Sequence, residues 1–204
     1  MRSIHLLVLL ALVAPAPAFA GIPSPINSTV PPCFFACPAG DLAFQIVVRD
    51  IANNPIAGST VVLDFADCPG FVVCPANGSE LYIWDPATRW LRWFTDASGT
   101  VRFAIRGGGT CAAGQVRVLA DGVRMAMRSL ASPDQDGSLL VDGADALHVN
   151  SLLGSADPTA DLDCDGTVTN TDLSILTNQH GGHSCTNVVP ARPRSWGSLK
   201  QIYR

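Results

Sequence analysis

Between Ser132 and Ala191 the chain carries nine aspartates and not one lysine or arginine. Their spacing is regular. Asp134, Asp136, Ser138, Asp142 and Asp145 reappear 27 residues later as Asp161, Asp163, Asp165, Thr169 and Asp172. A block of carboxylates without counter-charge repels itself unless a cation sits among it. Oxygen donors at alternate positions suit a hard ion: Ca²⁺ takes roughly six to eight oxygens at about 2.3–2.6 Å, and a tightly turning loop can present them. Positions 1, 3 and 5 of such a loop give side-chain oxygens, position 7 a carbonyl and position 12 a carboxylate. Position 6 favours glycine because the chain turns there with unusual dihedrals.

The second loop meets each requirement with Asp161, Asp163, Asp165, Gly166, the Thr167 carbonyl and Asp172. The first offers Asp134, Asp136, Ser138, the Leu140 carbonyl, Asp142 at position 9 and Asp145, but Leu139 stands where glycine is wanted. Sliding the frame to put Gly137 at position 6 leaves Gly143 at position 12 and loses the carboxylate. The first frame is therefore kept, with weaker binding expected there. Val141 and Val168 at position 8 are expected to tie the two loops together. Each loop runs into an apolar, helical-looking stretch, Ala146 to Gly154 and Leu173 to Gly181.

Residues 132–185 resemble a type I dockerin, with paired loop–helix units, no leading EF-hand helix and aspartate at position 12. The resemblance implies a small all-α calcium-binding module and, in the family's best-known setting, docking to a cohesin on a polysaccharide-degrading assembly. Cohesin-binding members usually carry Ser-Thr or similar at positions 10 and 11 and basic residues further down the helix. Here those positions are Gly143-Ala144 and Asn170-Thr171, and neither helix has a Lys or Arg.

Other chemistry is thin. His180, His183 and Cys185 resemble part of a zinc cluster, but only three ligands lie close together and Cys185 suits a disulfide. A helix C-terminus with glycine caps and histidine in its last turn is the preferred reading. No nucleophile elbow, H-E-x-x-H or phosphate-binding glycine loop occurs, and Glu80 is the only glutamate. A non-catalytic protein is expected.

The elements that would position the loops begin after an export signal. Arg2, the apolar run Leu6 to Val13 and Ala18-Phe19-Ala20 form a secretory signal peptide over 1–20, and no later run is long enough to span a bilayer. Residues 21–40 read as a Pro-rich lead-in. In an oxidising compartment the seven cysteines become bridge candidates, and their odd number leaves at least one unpaired. The expected pairs are Cys68 with Cys74, Cys37 or Cys33 with Cys111, and Cys164 with Cys185, although spacing does not fix connectivity.

From Asp41 to Ala131, runs rich in β-formers alternate with turn signals: Phe44 to Arg49, Ser59 to Phe65, Leu81 to Trp84, Arg89 to Phe94, Val101 to Arg106, Gln115 to Ala120 and Val123 to Ser129. They read as a β-sandwich. Val48-Arg49-Asp50, Asn54-Pro55-Ile56-Ala57-Gly58, Val61 and Thr95-Asp96-Ala97-Ser98-Gly99-Thr100 with Phe103 resemble a bacterial Ig-like domain of the invasin type. That resemblance implies a spacer or adhesion module. Tyr82, Trp84, Trp90, Trp93 and Phe94 are expected mainly in its core, with Arg89 and Arg92 stacking on the rings; exposed, they would form a sugar platform.

The stretch from Arg192 to Arg204 reverses the charge of the preceding block and reads as a basic tail over 186–204. Together these features predict an all-β Ig-like sandwich followed by an all-α calcium module in a secreted or cell-envelope protein. Its expected role is structural or interactive, with calcium as the cofactor and a cohesin-like or envelope protein as partner. A carbohydrate-binding subunit of a polysaccharide-degrading assembly is the alternative. The mildly acidic net charge of −4 argues against nucleic acid as a partner.

Overall fold

The computed structural model describes residues 21–76, 78 and 80–185. The expected signal peptide over 1–20 and basic tail over 186–204 lie outside the described residues. Ten strands form. β1 spans Phe34–Cys37, β2 Phe44–Val47, β3 Thr60–Asp64, β4 Val72–Val73, β5 Ile83–Asp85 and β6 Trp90–Phe94. β7 spans Thr100–Phe103, β8 Ile105–Gly108, β9 Cys111–Ala120 and β10 Val123–Ala131. Two helices follow, α1 at Gly143–Ser151 and α2 at Asn170–Ser174, the latter running on as a π-helical stretch over Ile175–His180.

Eight strands make one curled sheet in the order β4-β8-β1-β10-β9-β3-β6-β5, and β2 pairs with β7 in a separate ribbon. This replaces the expected Ig-like sandwich. The reason lies in β1, which falls within the supposed lead-in. Its first half pairs in parallel with β10 (Phe34 with Leu130), and its second half pairs in parallel with β8 (Ala36 with Ile105). One short strand thereby stitches the long β9–β10 hairpin to β8 and makes a single half-barrel of what would otherwise be two sheets.

One face of the sheet holds the main core, in which Phe34, Phe44, Ile46, Leu63, Phe65, Phe71, Leu91, Phe103, Ile105 and Leu130 are buried. Period-two alternation places alternate residues of a strand on opposite faces. Accordingly Phe34 enters this core, while its neighbour Phe35 packs on a second cluster on the far side. That cluster comprises Ala131, Val141, Val149, Ala160, Leu162, Val168 and Leu176.

The expected all-α calcium module at the C-terminus is therefore corrected as well. Helix is confined to one nine-residue segment and one five-residue segment with its π extension. The six buried side chains that the segment itself contributes, mostly small, are too few to support an independent core. They are completed by Phe35 and Ala131 from the sheet. The segment packs on β1 and β10, on the face opposite the main core, instead of forming a separate module.

Covalent ties reinforce that seating. Disulfides join Cys33 to Cys164, Cys68 to Cys111 and Cys74 to Cys185, while Cys37 is free and buried. The expectation of an unpaired cysteine holds. All three guessed pairings fail, because two of the observed bridges run between the sheet region and the C-terminal segment, contacts that local spacing does not encode. Among the described residues no helix is long and apolar enough to cross a membrane.

The aromatics divide by strand face. Tyr82 is buried, and Trp84 and Trp93 pack against the core. Trp90 and Phe94 point outward, 37% and 48% exposed. The Arg89 guanidinium lies 6.0 Å from the centre of the Trp84 ring and donates to the carbonyls of Phe65, Cys68 and Phe71.

Candidate metal centre

The two aspartate loops adopt the same hydrogen-bond scheme in the alignment read from sequence. At position 12, Asp145 accepts from the backbone N–H of Gln135, Asp136 and Asp142 at 2.7, 3.3 and 2.8 Å. Asp172 accepts from Leu162, Asp163 and Thr169 at 2.6, 3.2 and 2.7 Å. At position 1, Asp134 accepts from Ser138 and Leu139 N–H, and Asp161 from Asp165 and Gly166 N–H.

The backbone repeats too. Positions 4 and 6 both lie at positive φ, +73° and +66° at Gly137 and Leu139, +60° and +94° at Cys164 and Gly166. Leu139 thus adopts the glycine conformation without being glycine. A left-handed non-glycine residue costs roughly 1–2 kcal/mol. The surrounding ring of N–H donors holds it there.

Each loop starts its helix in the same way. Asp142 caps α1 by accepting from Ala144 N–H, Thr169 caps α2 by accepting from Thr171 N–H, and Asp145 and Asp172 complete the capping boxes. A cap of this kind contributes about 1 kcal/mol. Asp142 therefore serves the helix with one carboxylate oxygen, a role the sequence assigned to position 9 only as a ligand.

The predicted ligands converge in part. Carboxylate oxygens of Asp134, Asp136 and Asp145 lie within 4.8 Å of one another, as do those of Asp161, Asp163 and Asp165. In the first loop, Ser138 Oγ donates to the Leu140 carbonyl at 3.0 Å, so positions 5 and 7 already touch. In the second, Asp165 accepts from Thr167 N–H at 2.8 Å. Asp172, predicted as a ligand, lies outside the second trio and stays bound to backbone N–H groups.

Burial follows one pattern in both loops, with Asp134, Asp145, Asp161 and Asp172 buried and Asp136 and Asp163 exposed. That burial, opposed by the Leu139 N–H and aided by the Asp145 charge, pushes the Asp134 carboxyl up to about 6. Burial also raises Asp145, whereas the Ser138 N–H holds the exposed Asp136 down. In the second loop Asp163 and Asp165 face water.

Val141 and Val168 do not pair with each other as expected. Val168 exchanges hydrogen bonds with Gly154 and Ser155, beyond α1, and Val141 with Gly182 and His183, beyond the π-helical stretch. Each loop is thus fastened to the turn that ends the other unit's helix.

A second convergence was only half visible in the sequence. His180 and His183 were singled out with Cys185, but Cys185 is bridged to Cys74. Their neighbours are instead Cys37, at the end of β1, and Asp41, in the turn that follows. Cys37 Sγ lies 3.8 Å from His180 Nδ1 and 3.7 Å from His183 Nδ1. Asp41 Oδ2 lies 3.1 Å and 3.3 Å from the same two nitrogens. About 140 residues separate the two pairs along the chain, and no local pattern links them.

Compared with known proteins, the chain matches no family model, no curated protein and no solved structure.

Proposed function

We propose that this is an exported, non-catalytic calcium-binding protein that serves as a structural or interaction component outside the cell or in its envelope. The observation that carries the reading is the point-for-point repetition of the loop geometry. Dockerin-like ligand positions recur at an interval of 27 residues, each with its carboxylates gathered and its helix capped. Ca²⁺ is the ion that such oxygen sets suit, through side-chain oxygens at positions 1, 3 and 5, the Leu140 and Thr167 carbonyls, and Asp145 and Asp172 at position 12. Export is supported by the N-terminal signal pattern and by three disulfides, which persist in oxidising compartments.

Calcium would act here by fastening the C-terminal segment to the sheet. Neutralising the buried Asp134 and Asp145 relieves the repulsion that burial imposes on them. Calorimetric titration of the chelator-treated mature protein tests the reading, alongside an Asp161→Ala/Asp163→Ala variant. One to two ions per chain, with one site lost in the variant, is the expected outcome. No heat of binding at millimolar calcium sinks it.

The outward Trp90, Arg92 and Phe94 on β6 favour a second reading, a carbohydrate-binding accessory role, because exposed aromatic faces can stack on sugar rings. Quenching of tryptophan fluorescence by soluble oligosaccharides, lost in Trp90→Ala, checks it.

A further inference from the structure

We propose that Cys37, Asp41, His180 and His183 form a binding site for one zinc-class divalent ion, separate from the aspartate loops. Four of the six separations between their donor atoms match the edges of a zinc tetrahedron. Zinc binds thiolate at about 2.3 Å, imidazole nitrogen at about 2.0–2.1 Å and carboxylate oxygen at about 2.0–2.2 Å. Tetrahedral angles then require sulfur and nitrogen about 3.6 Å apart, and nitrogen and oxygen about 3.4 Å apart. The protein places them at 3.7 and 3.8 Å, and at 3.1 and 3.3 Å. All four donor atoms lie within 4.8 Å of one another.

The donor set selects the ion. One soft sulfur, two imidazole nitrogens and one carboxylate suit Zn²⁺ and exclude Ca²⁺ and Mg²⁺, which take oxygen. Four protein donors leave no open position, so the site is structural and not catalytic. Binding requires the thiolate, so the Cys37 proton leaves to solvent as the ion enters, with both histidines neutral.

The chain around the site is built to present these donors. Cys37 and Asp41 flank a turn closed by Gly40 N–H donating to the Cys37 carbonyl at 2.9 Å. His180 and His183 flank another, closed by His183 N–H donating to the His180 carbonyl at 2.9 Å. The second turn also owes its position to an inserted residue. Val141 and Val168 are 27 residues apart, but their partner turns, at Gly154 and Gly182, are 28 apart. The extra residue is absorbed by the π-helical stretch that ends at His180. π-Helical turns commonly mark functional positions. Here the stretch directs a buried histidine toward a buried cysteine contributed by the sheet.

Cobalt serves as the probe, since Co²⁺ replaces Zn²⁺ in such sites and reports both geometry and sulfur ligation. The metal-stripped, disulfide-intact full chain should bind one Co²⁺ with intense tetrahedral visible bands and a thiolate-to-cobalt charge-transfer band, both erased by equimolar Zn²⁺. Cys37→Ser should abolish the charge-transfer band. Asp41→Asn and His183→Ala, at less buried positions, should keep the fold by near-ultraviolet circular dichroism and weaken Co²⁺ by more than about 100-fold. Calcium should not displace the cobalt. Absence of tetrahedral bands in the wild-type chain, or bands indifferent to Asp41→Asn in a folded variant, overturns the proposal. Carboxylate-only loops give no thiolate band, so this outcome is read separately from that of the calcium titration.

Discussion

The two aspartate loops share one backbone and one hydrogen-bond scheme, yet they reach it by opposite means. The second loop has the better residues, with Gly166 at the left-handed turn and aspartate at positions 1, 3 and 5. The first has the worse residues and the better support. Leu139 is held at positive φ, and Gly108 of β8 lies so close to Asp134 that a Cβ there would collide with its carboxylate. Local sequence therefore specifies one loop, and the neighbouring sheet specifies the other. A ligand pattern scored residue by residue underestimates a site that the rest of the fold organises.

The largest effect should come from position 12, where the two loops are alike. Asp145→Ala and Asp172→Ala each leave three backbone N–H groups without their acceptor. Each should cost about 3 kcal/mol or more of unfolding free energy in the calcium-free protein. Denaturant melts of the two variants should match within error; a difference above about 1 kcal/mol would break the equivalence.

Gly108→Ala should divide the loops. The added methyl displaces Asp134, costing about 1–3 kcal/mol and weakening calcium at the first loop while sparing the second. Calorimetry on this variant in an Asp161→Ala/Asp163→Ala background isolates the first site.

A smaller effect of opposite sign is expected from Leu139→Gly, which removes the left-handed penalty and should stabilise the protein by about 0.5–1 kcal/mol, after the greater flexibility of glycine in the unfolded chain is counted. Gly166→Leu should lose a comparable amount.

Smallest is a pH effect read at Asp134 of the first loop. The carboxyl of Asp134 is raised to about 6 in the folded protein, against about 3.9 unfolded, so the fold favours its protonated form. That contribution is complete below the unfolded value and is lost as pH rises through 6. Calcium-free protein should thus gain stability from this group between pH 7 and pH 5. The carboxyl carbon resonance of Asp134, followed by NMR, should show a midpoint near 6.

Much of the sheet was legible because its signals are local. Alternation and turn residues located β2, β3, β5, β6, β7, β9 and β10 to within a few residues. β1 was not legible: Phe34–Cys37 is four residues between prolines, and it becomes a strand only through parallel partners about 70 and 95 residues away. The same blindness hid the bridges and the Cys37–Asp41–His180–His183 group, whose members meet through tertiary packing alone. The aspartate loops were legible because their donors recur within twelve residues, although the first reaches its geometry only with the support of the sheet. Their seating on the sheet depends on Phe35 and Ala131 and could not be read from the loops themselves.

The disulfide map constrains how the protein matures. Its bridges close intervals of 131, 43 and 111 residues, whereas Cys33 lies four residues from Cys37 and Cys68 six from Cys74. Shorter loops close at lower entropic cost, so in an oxidising compartment these non-native pairs are expected to form first. Reaching the native set requires thiol–disulfide exchange after Cys185 has emerged, with one thiolate left over to attack finished bonds. That seventh cysteine ends buried beside two imidazoles, where a captured ion would take the attacking sulfur out of circulation. Oxidative folding with zinc present should therefore finish with fewer scrambled species than folding without it.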